Sequence, residues 1–331
     1  MNLIENERFK LYRSDMCNFN FDKETGYTEI WGKTKEEDAI YCPDGPMILD
    51  IEITDICYGI GSRDKVGGSV CAFCYKSNSP NNGQNMSFDT FKKIIDKMCK
   101  PKPLLNQLAI GSDSSCEANP DLFKMLAYSR EKGIIPNITV ADITDEVADE
   151  LVKYIGGCAV SKYQPKDYCY NSVQKLIDRG MKQVNIHQFL SLETLDQVYE
   201  TFDDYFTDKR LEGLNAIVLL SLKKKGRGKS FNSVPQDKFN ELVEYALNKG
   251  IPLGFDSCSY HKFIKSVENH PRYEEFKMMS EPCESFGLFS SYINVEGKYF
   301  PCSFVEGEGE WKEGIDVVNC DDFVKDIWFN P

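Results

Sequence analysis

No stretch of this chain approaches the roughly 18 consecutive apolar residues that a membrane helix requires, so no helical membrane span is expected in its 331 residues. The first ten residues, MNLIENERFK, lack the basic n-region and the apolar h-region of a secretory leader, which points to the cytoplasm. Positive charge is short as well: Lys and Arg number 39 against 52 Asp and Glu, for a formal net charge of -13. Nonspecific nucleic-acid binding needs a net or local excess of cations to displace counterions, so nucleic acid is not an expected partner. The one basic run, from Lys223 to Lys229, reads as a solvated loop. Gly and Pro are not in excess, and 41% apolar with 27% charged residues describe an ordinary globule. The length leaves room for one large α/β domain and a small appendage.

Cysteine is what the chain has in quantity, thirteen in all. In a reducing compartment, grouped cysteines read as metal or cluster ligands before they read as disulfides. The first group closes an apolar run with strand character, Met47 to Ile56. Cys57 follows, then a loop of thirteen residues containing Gly59, Gly61, Gly67 and Gly68, then Cys71-Ala72-Phe73-Cys74. Three thiolates at one strand end can hold three irons of a 4Fe–4S cluster and leave the fourth open to another ligand. A zinc site suits the Cys71/Cys74 pair equally, but zinc wants a fourth protein ligand, and no His or Cys follows until Cys99. The second group is Cys258, Cys283, Cys302 and Cys320, read as ligands of an auxiliary 4Fe–4S cluster, with a structural zinc site or scattered buried thiols as alternatives. Cys17, Cys42, Cys99, Cys158 and Cys169 read as structural. So does Cys116, although its place near Gly111-Ser112-Asp113 makes it a candidate hydrogen-atom donor.

Along the chain, residues 1–46 form an N-terminal extension with a hairpin turning at Asp22-Lys23-Glu24-Thr25-Gly26. From 47 to 255, short apolar strands alternate with helices that stop at Gly, the signature of βα units on a parallel sheet. About seven strands fall between Ile48 and Phe255, too few for a comfortable eight-fold barrel, so a partial TIM-like barrel is the preferred architecture. In such folds the chemistry sits at the C-terminal strand ends. Cys57, Asp113, Ser161, Lys162, Gln188, Lys223 and Cys258 all fall at or just past such ends. Gln188 is placed at the barrel mouth, and His187 beside it in the core. Residues 256–331 lose the βα rhythm and read as a small cysteine domain with a hairpin turning at Glu296-Gly297.

Together these residues resemble the radical S-adenosylmethionine (SAM) enzymes. Cys57, Cys71 and Cys74, with Phe73 in the aromatic place, match the family's cysteine signature apart from a longer first gap; some members, among them the 7-carboxy-7-deazaguanine synthases, also have an enlarged gap. Gly111-Ser112-Asp113 stands where the family carries a Gly-Gly-Glu-like turn that holds the SAM amino group. Ser161 resembles the family's ribose- or carboxylate-contacting serine, with Lys162 as a carboxylate partner, and Leu219–Gly228 the strand and loop flanking the adenine. Cys283, thirteen residues, Gly297, four residues, Cys302 fits the opening of the SPASM and Twitch auxiliary-cluster domains. With four cysteines in place of seven, a Twitch-like domain with one auxiliary cluster is the version implied.

The resemblance implies a partial (β/α)6 barrel, two 4Fe–4S clusters, SAM bound by Phe73, Gly111, Ser112, Asp113, Ser161, Lys162 and Gln188, and a flavodoxin or ferredoxin as reductant. It implies reductive cleavage of SAM and modification of a peptide, with dehydrogenation of a small molecule, as in aminoglycoside dehydrogenation, as the alternative. A zinc-stabilised binding protein without redox chemistry is the competing expectation from another class.

Overall fold

The computed structural model describes residues 2–61, 70–81, 83–100 and 104–328. The chain opens with four antiparallel strands, β1 (Asn2–Glu5), β2 (Phe9–Arg13), β3 (Asn18–Asp22) and β4 (Thr28–Trp31), paired in that order. The expected hairpin is the β3–β4 turn, where Gly26 takes φ +74°. This sheet buries Tyr12, Phe19 and Phe21 with Cys17 and Cys42 in a core of its own.

A parallel series follows: β5 (Ile48–Glu52), β6 (Gln107–Gly111), β7 (Ile135–Val140), β8 (Gly157–Lys162), β9 (Val184–Leu190), β10 (Ala216–Ser221) and β11 (Leu253–Phe255), each pairing its neighbour in sequence order. The helices between them are α1 (Phe88–Met98), α2 (Leu122–Glu131), α3 (Asp145–Leu151), α4 (Asp167–Asp178), α5 (Leu195–Thr207) and α6 (Gln236–Lys249). Local chemistry sets their ends. The Ser87 hydroxyl accepts from Thr90 N at 3.1 Å at the start of α1, a cap worth about 1 kcal/mol. Gly250 closes α6 in the left-handed region at φ +70°. In α1, Phe91, Ile94, Ile95 and Met98 form the buried stripe, each worth about 1.5–3 kcal/mol against exposure.

The C-terminal region departs from the expectation of a separate texture. After α7 (Tyr260–Ser266) and α8 (Tyr273–Met279), strand β12 (Ser290–Ile293) lies parallel to β5, with Tyr292 opposite Asp50. β13 (Lys298–Phe300) and β14 (Ile315–Asp316) continue antiparallel. The large sheet therefore has ten strands, mostly parallel, in the order β11-β10-β9-β8-β7-β6-β5-β12-β13-β14. Ile293, Tyr299, Phe323 and Ile327 share one apolar core with the βα units. The architecture is thus mixed α/β on a large, mostly parallel sheet. No described helix is long and apolar enough to cross a membrane.

Side chains alternate across this sheet with period two. Leu49, Ile51, Leu108, Ile110, Ile138, Val160, Ile186, Ile217 and Leu219 are buried on one face. The other face presents Asp50, Ala109, Asn137, Thr139, Ala159, Asn185 and His187, which line a cavity of about 510 Å³. Small and polar residues stand there where filled barrels carry bulky branched ones, so the interior is hollow.

Candidate functional site

A second cavity, about 520 Å³, lies toward the C-terminal strand ends and shares Asp50, Tyr75, His187 and Ser303 with the first. Its wall carries Cys71 and Cys74 together with Cys258, Cys283 and Cys302. Two cysteine groups distant in sequence therefore meet on one space. Cys71 feels the charges of Cys57 and Cys74, and burial pushes its thiol up to about 11 against a hydrogen bond from Tyr163. Burial also raises the Cys302 thiol, reinforced by Cys258 and Cys283. Among the described residues, no three His, Cys, Asp or Glu side chains are grouped as a metal site.

The cysteine loop is held from three directions. Arg227 donates from Nε to Cys71 O at 2.7 Å and from a guanidinium nitrogen to Asn78 O at 3.1 Å, and its backbone N–H reaches Cys74 O at 3.0 Å. Gly226 allows this approach: at φ +54°, a Cβ there would stand 2.7 Å from Cys74 O and 2.6 Å from Ser77 Oγ. The basic run expected to be a solvated loop is thus a clasp over residues 71–78. Lys76 pairs with Glu52 at 3.0 Å and with Glu306, and Tyr292 donates to Glu52 at 2.9 Å, which ties the loop to β5 and to the C-terminal region. Phe73 stacks on Phe189 at 3.9 Å and on Tyr163 at 5.5 Å, with Phe231 edge-on, and this aromatic cluster closes one side of the upper cavity.

Beyond the cysteines, Ser161, Tyr163, His187, Lys223 and Asp256 line the same cavity. Lys223 is paired with Asp256 at 3.1 Å, and Asp256 also accepts from Ser221 N at 3.1 Å and Ser259 Oγ at 2.7 Å. Burial lowers the His187 imidazole to about 4 despite the charge of Asp256, so it is neutral at pH 7. Burial and then the neighbouring Glu281 hold the Glu284 carboxyl above the usual carboxylate range.

Several expected site residues lie elsewhere. Asp113 is buried and accepts from Ser115 N, Ser115 Oγ and Ala118 N at 3.1, 2.6 and 3.1 Å; its carboxylate shapes the loop after β6 and lines neither cavity. Ser112 hydrogen-bonds Asp113 at 3.4 Å, while Gly111 lines the lower cavity. Lys162 is on the upper cavity's wall, but its ammonium is taken up by Glu200 at 2.8 Å and Gln197 O at 3.2 Å. Gln188 is buried against α5, accepting from Thr201 Oγ1 at 2.8 Å. Its neighbour His187 faces inward in its place, because adjacent strand residues point to opposite faces. Cys116 is buried in the main core and lines neither cavity. Cys320 stands apart from the other cysteines: its thiol donates to Val317 O at 3.2 Å, and its charged neighbours are Lys97, Asp326, Asp316 and Asp321. Asp50, on the β5 face lining both cavities, carried no sequence signal beyond an acid inside an apolar strand. Gly67 and Gly68 of the long loop lie outside the described residues, while Gly61 packs against Tyr168.

The fold and site define a mixed α/β protein whose large sheet backs a thiol-lined, partly polar cavity. No family model matches the chain, and no curated protein does. Among solved structures, it is similar to the spore coat polysaccharide biosynthesis protein SpsE of Bacillus subtilis, at 13% identity and TM-score 0.36, over 84% of this chain and 66% of that one. The chain thus spans just under two thirds of that protein's length. It is similar also to an HpcH/HpaI aldolase of Desulfitobacterium hafniense, at 7% identity and TM-score 0.32, over 69% of this chain and 93% of that one. At these values neither likeness bears on function.

Proposed function

We propose that this chain is an iron–sulfur enzyme of the radical SAM type, on a partial (β/α)6 barrel with a Twitch-like auxiliary-cluster region. The observation that carries this reading is the convergence of Cys71 and Cys74, with Cys57 beside them, and of Cys258, Cys283 and Cys302 on one cavity. The donors suit the group in kind, without being drawn together as a ligand cluster among the described residues. They are soft thiols, the ligands iron–sulfur clusters select, and each set offers three where structural zinc takes four protein ligands. Cys57, Cys71 and Cys74 would hold the SAM cluster, and Cys258, Cys283 and Cys302 the auxiliary one. Held there and reduced by a flavodoxin or ferredoxin, such a cluster would supply the chemistry of reductive SAM cleavage and hydrogen-atom abstraction from substrate.

The chain's own residues position and exclude. The Phe73–Phe189–Tyr163 stack sets an apolar wall beside Cys71 and Cys74, and exclusion of water is part of what radical chemistry requires of its protein. Ser161 offers a hydroxyl at the cavity wall, and the Lys223–Asp256 pair fixes a charged corner opposite. The substrate is a peptide or a small molecule, and the partly polar cavity of about 510 Å³ below the cysteines favours the small molecule.

Anaerobic purification tests the proposal. It predicts a brown protein with about eight irons and matching acid-labile sulfide, four irons per cluster, and 5′-deoxyadenosine from SAM on reduction, lost in Cys71→Ala or Cys74→Ala. A colourless zinc protein, or SAM cleavage indifferent to those changes, overturns it. Deuterium transfer from candidate substrates into 5′-deoxyadenosine then identifies the substrate.

A further inference from the structure

Among the described residues, the cations lining the two cavities have carboxylate partners. Lys223 pairs with Asp256, Lys162 with Glu200 and Lys23 with Glu5. Asp50 is the converse. It stands on β5 opposite Tyr292 and Ala109, surrounded by protein yet reached from both cavities, and no described side chain or backbone group hydrogen-bonds or ion-pairs with it. Its charge is felt by Glu284, Tyr75 and Cys302, all acids or acidic hydrogens. A carboxylate open to a cavity with low-dielectric walls draws a cation toward it, and the described residues supply none to it.

Around it the hollow is lined by neutral polar side chains among apolar ones, and its other charged residues, Lys23, Glu24 and Glu52, pair with Glu5, Arg8 and Lys76. Gln107, Asn137, Thr139 and Asn185 line the lower cavity, with His187 above them. The β3–β4 turn lies at its far end, where Gln107 and Gln183 donate to Gly26 O and Thr25 O, each at 3.3 Å.

We propose that Asp50 is the anchor of a binding site for a small, hydroxylated molecule bearing a single protonated amine, held in the hollow beneath the cysteines with its ammonium on the Asp50 carboxylate. The amine supplies the cation the site lacks, and the amide and hydroxyl side chains match hydroxyl groups. That this molecule is the substrate rests on the function proposed above; the site itself does not.

Anaerobically purified full-length protein is titrated calorimetrically with D-glucosamine, D-glucose and N-acetyl-D-glucosamine. The proposal expects glucosamine to bind at least ten-fold more tightly than the two neutral sugars, and Asp50→Asn to abolish that preference while keeping wild-type iron content. Equal binding of all three by the wild type overturns it without need of a variant, as does undiminished glucosamine binding by Asp50→Asn. Tighter, Asp50-dependent binding of the tripeptide Gly-Lys-Gly overturns the assignment to a free small molecule in favour of a peptide side chain. Iron content and SAM cleavage are scored separately, so loss of the cluster reading and loss of the amine site give different results.

Discussion

At the residue scale, single atoms decide what the cysteines and Asp50 do. Cys320 sits beside Lys97 with its thiol on a backbone carbonyl, so Cys320→Ser is expected to keep iron and sulfide at the wild-type level. Cys302→Ser removes a cavity-lining thiol and is expected to lose about four irons, one cluster's worth, measured by colorimetric iron and sulfide assay. Asp50 titrates near 6 because of burial, up from an ordinary 3.8. Its native form therefore holds a proton more tightly than its unfolded form. By linkage, its contribution makes stability fall as pH rises from about 4 to about 6. Asp50→Asn removes that fall, so its melting temperature relative to wild type should climb over the same interval and then level; a pH-independent difference would refute the assignment. The cysteine spacing and Phe73 could be read from the chain because they are local patterns. His187 and Gln188 could not be told apart, since a strand end fixes which two residues are near the mouth but not which one points in. Only the pairing of His187 with Ser161 and Val218 across β8 and β10 settles it.

At the element scale, the loop after β10 matters most. Its clasp on residues 71–78 depends on Gly226, whose left-handed backbone and close neighbours leave no room for a Cβ. Gly226→Ala should cost about 1–3 kcal/mol, the usual range for strain at a special backbone position, seen as a lowered denaturation midpoint, and should reduce iron retention. A variant with wild-type stability and iron would show that the clasp is dispensable. The helices and inner strands were legible because period, caps and Gly stops agreed, as at Ser87–Met98 and Val184–Leu190. The basic run misled because charge patterning does not say what a cation meets: here the Arg227 guanidinium and backbone N–H are spent on carbonyls of residues 71–78, and Gly226 lets the loop come close enough. Asp113 likewise carries the carboxylate of a ligand motif but spends it on its own loop.

At the scale of the whole molecule, the C-terminal region completes the sheet. Five of its residues, Ile293, Tyr299, Val317, Phe323 and Ile327, are almost fully buried in the common core. At about 1.5–3 kcal/mol each, their loss rivals the 5–15 kcal/mol by which a domain is usually stable. A chain ending at Phe255 would also expose β5 as an unpaired edge. It is expected to aggregate on size-exclusion chromatography and to lack a cooperative melt by circular dichroism; a soluble, cooperatively melting fragment would argue for two independent units. Sequence rhythm could not reveal this, because the strand that fills the place beside β5 comes after two short helices with no strand between them.

The pairing of β12 with β5 also sets a schedule. Ile48 emerges from the ribosome well before its partner Ser290, with all the βα units between them. Until then the first core strand has one open side, and the late cysteines Cys283 and Cys302 do not yet exist to face Cys71 and Cys74. Such long-range closure is slow and leaves an edge open to wrong partners. Assembly of the cavity thus waits for residues 283–302, and iron supplied after synthesis, as in reconstitution of purified protein, arrives when both cysteine groups are in place.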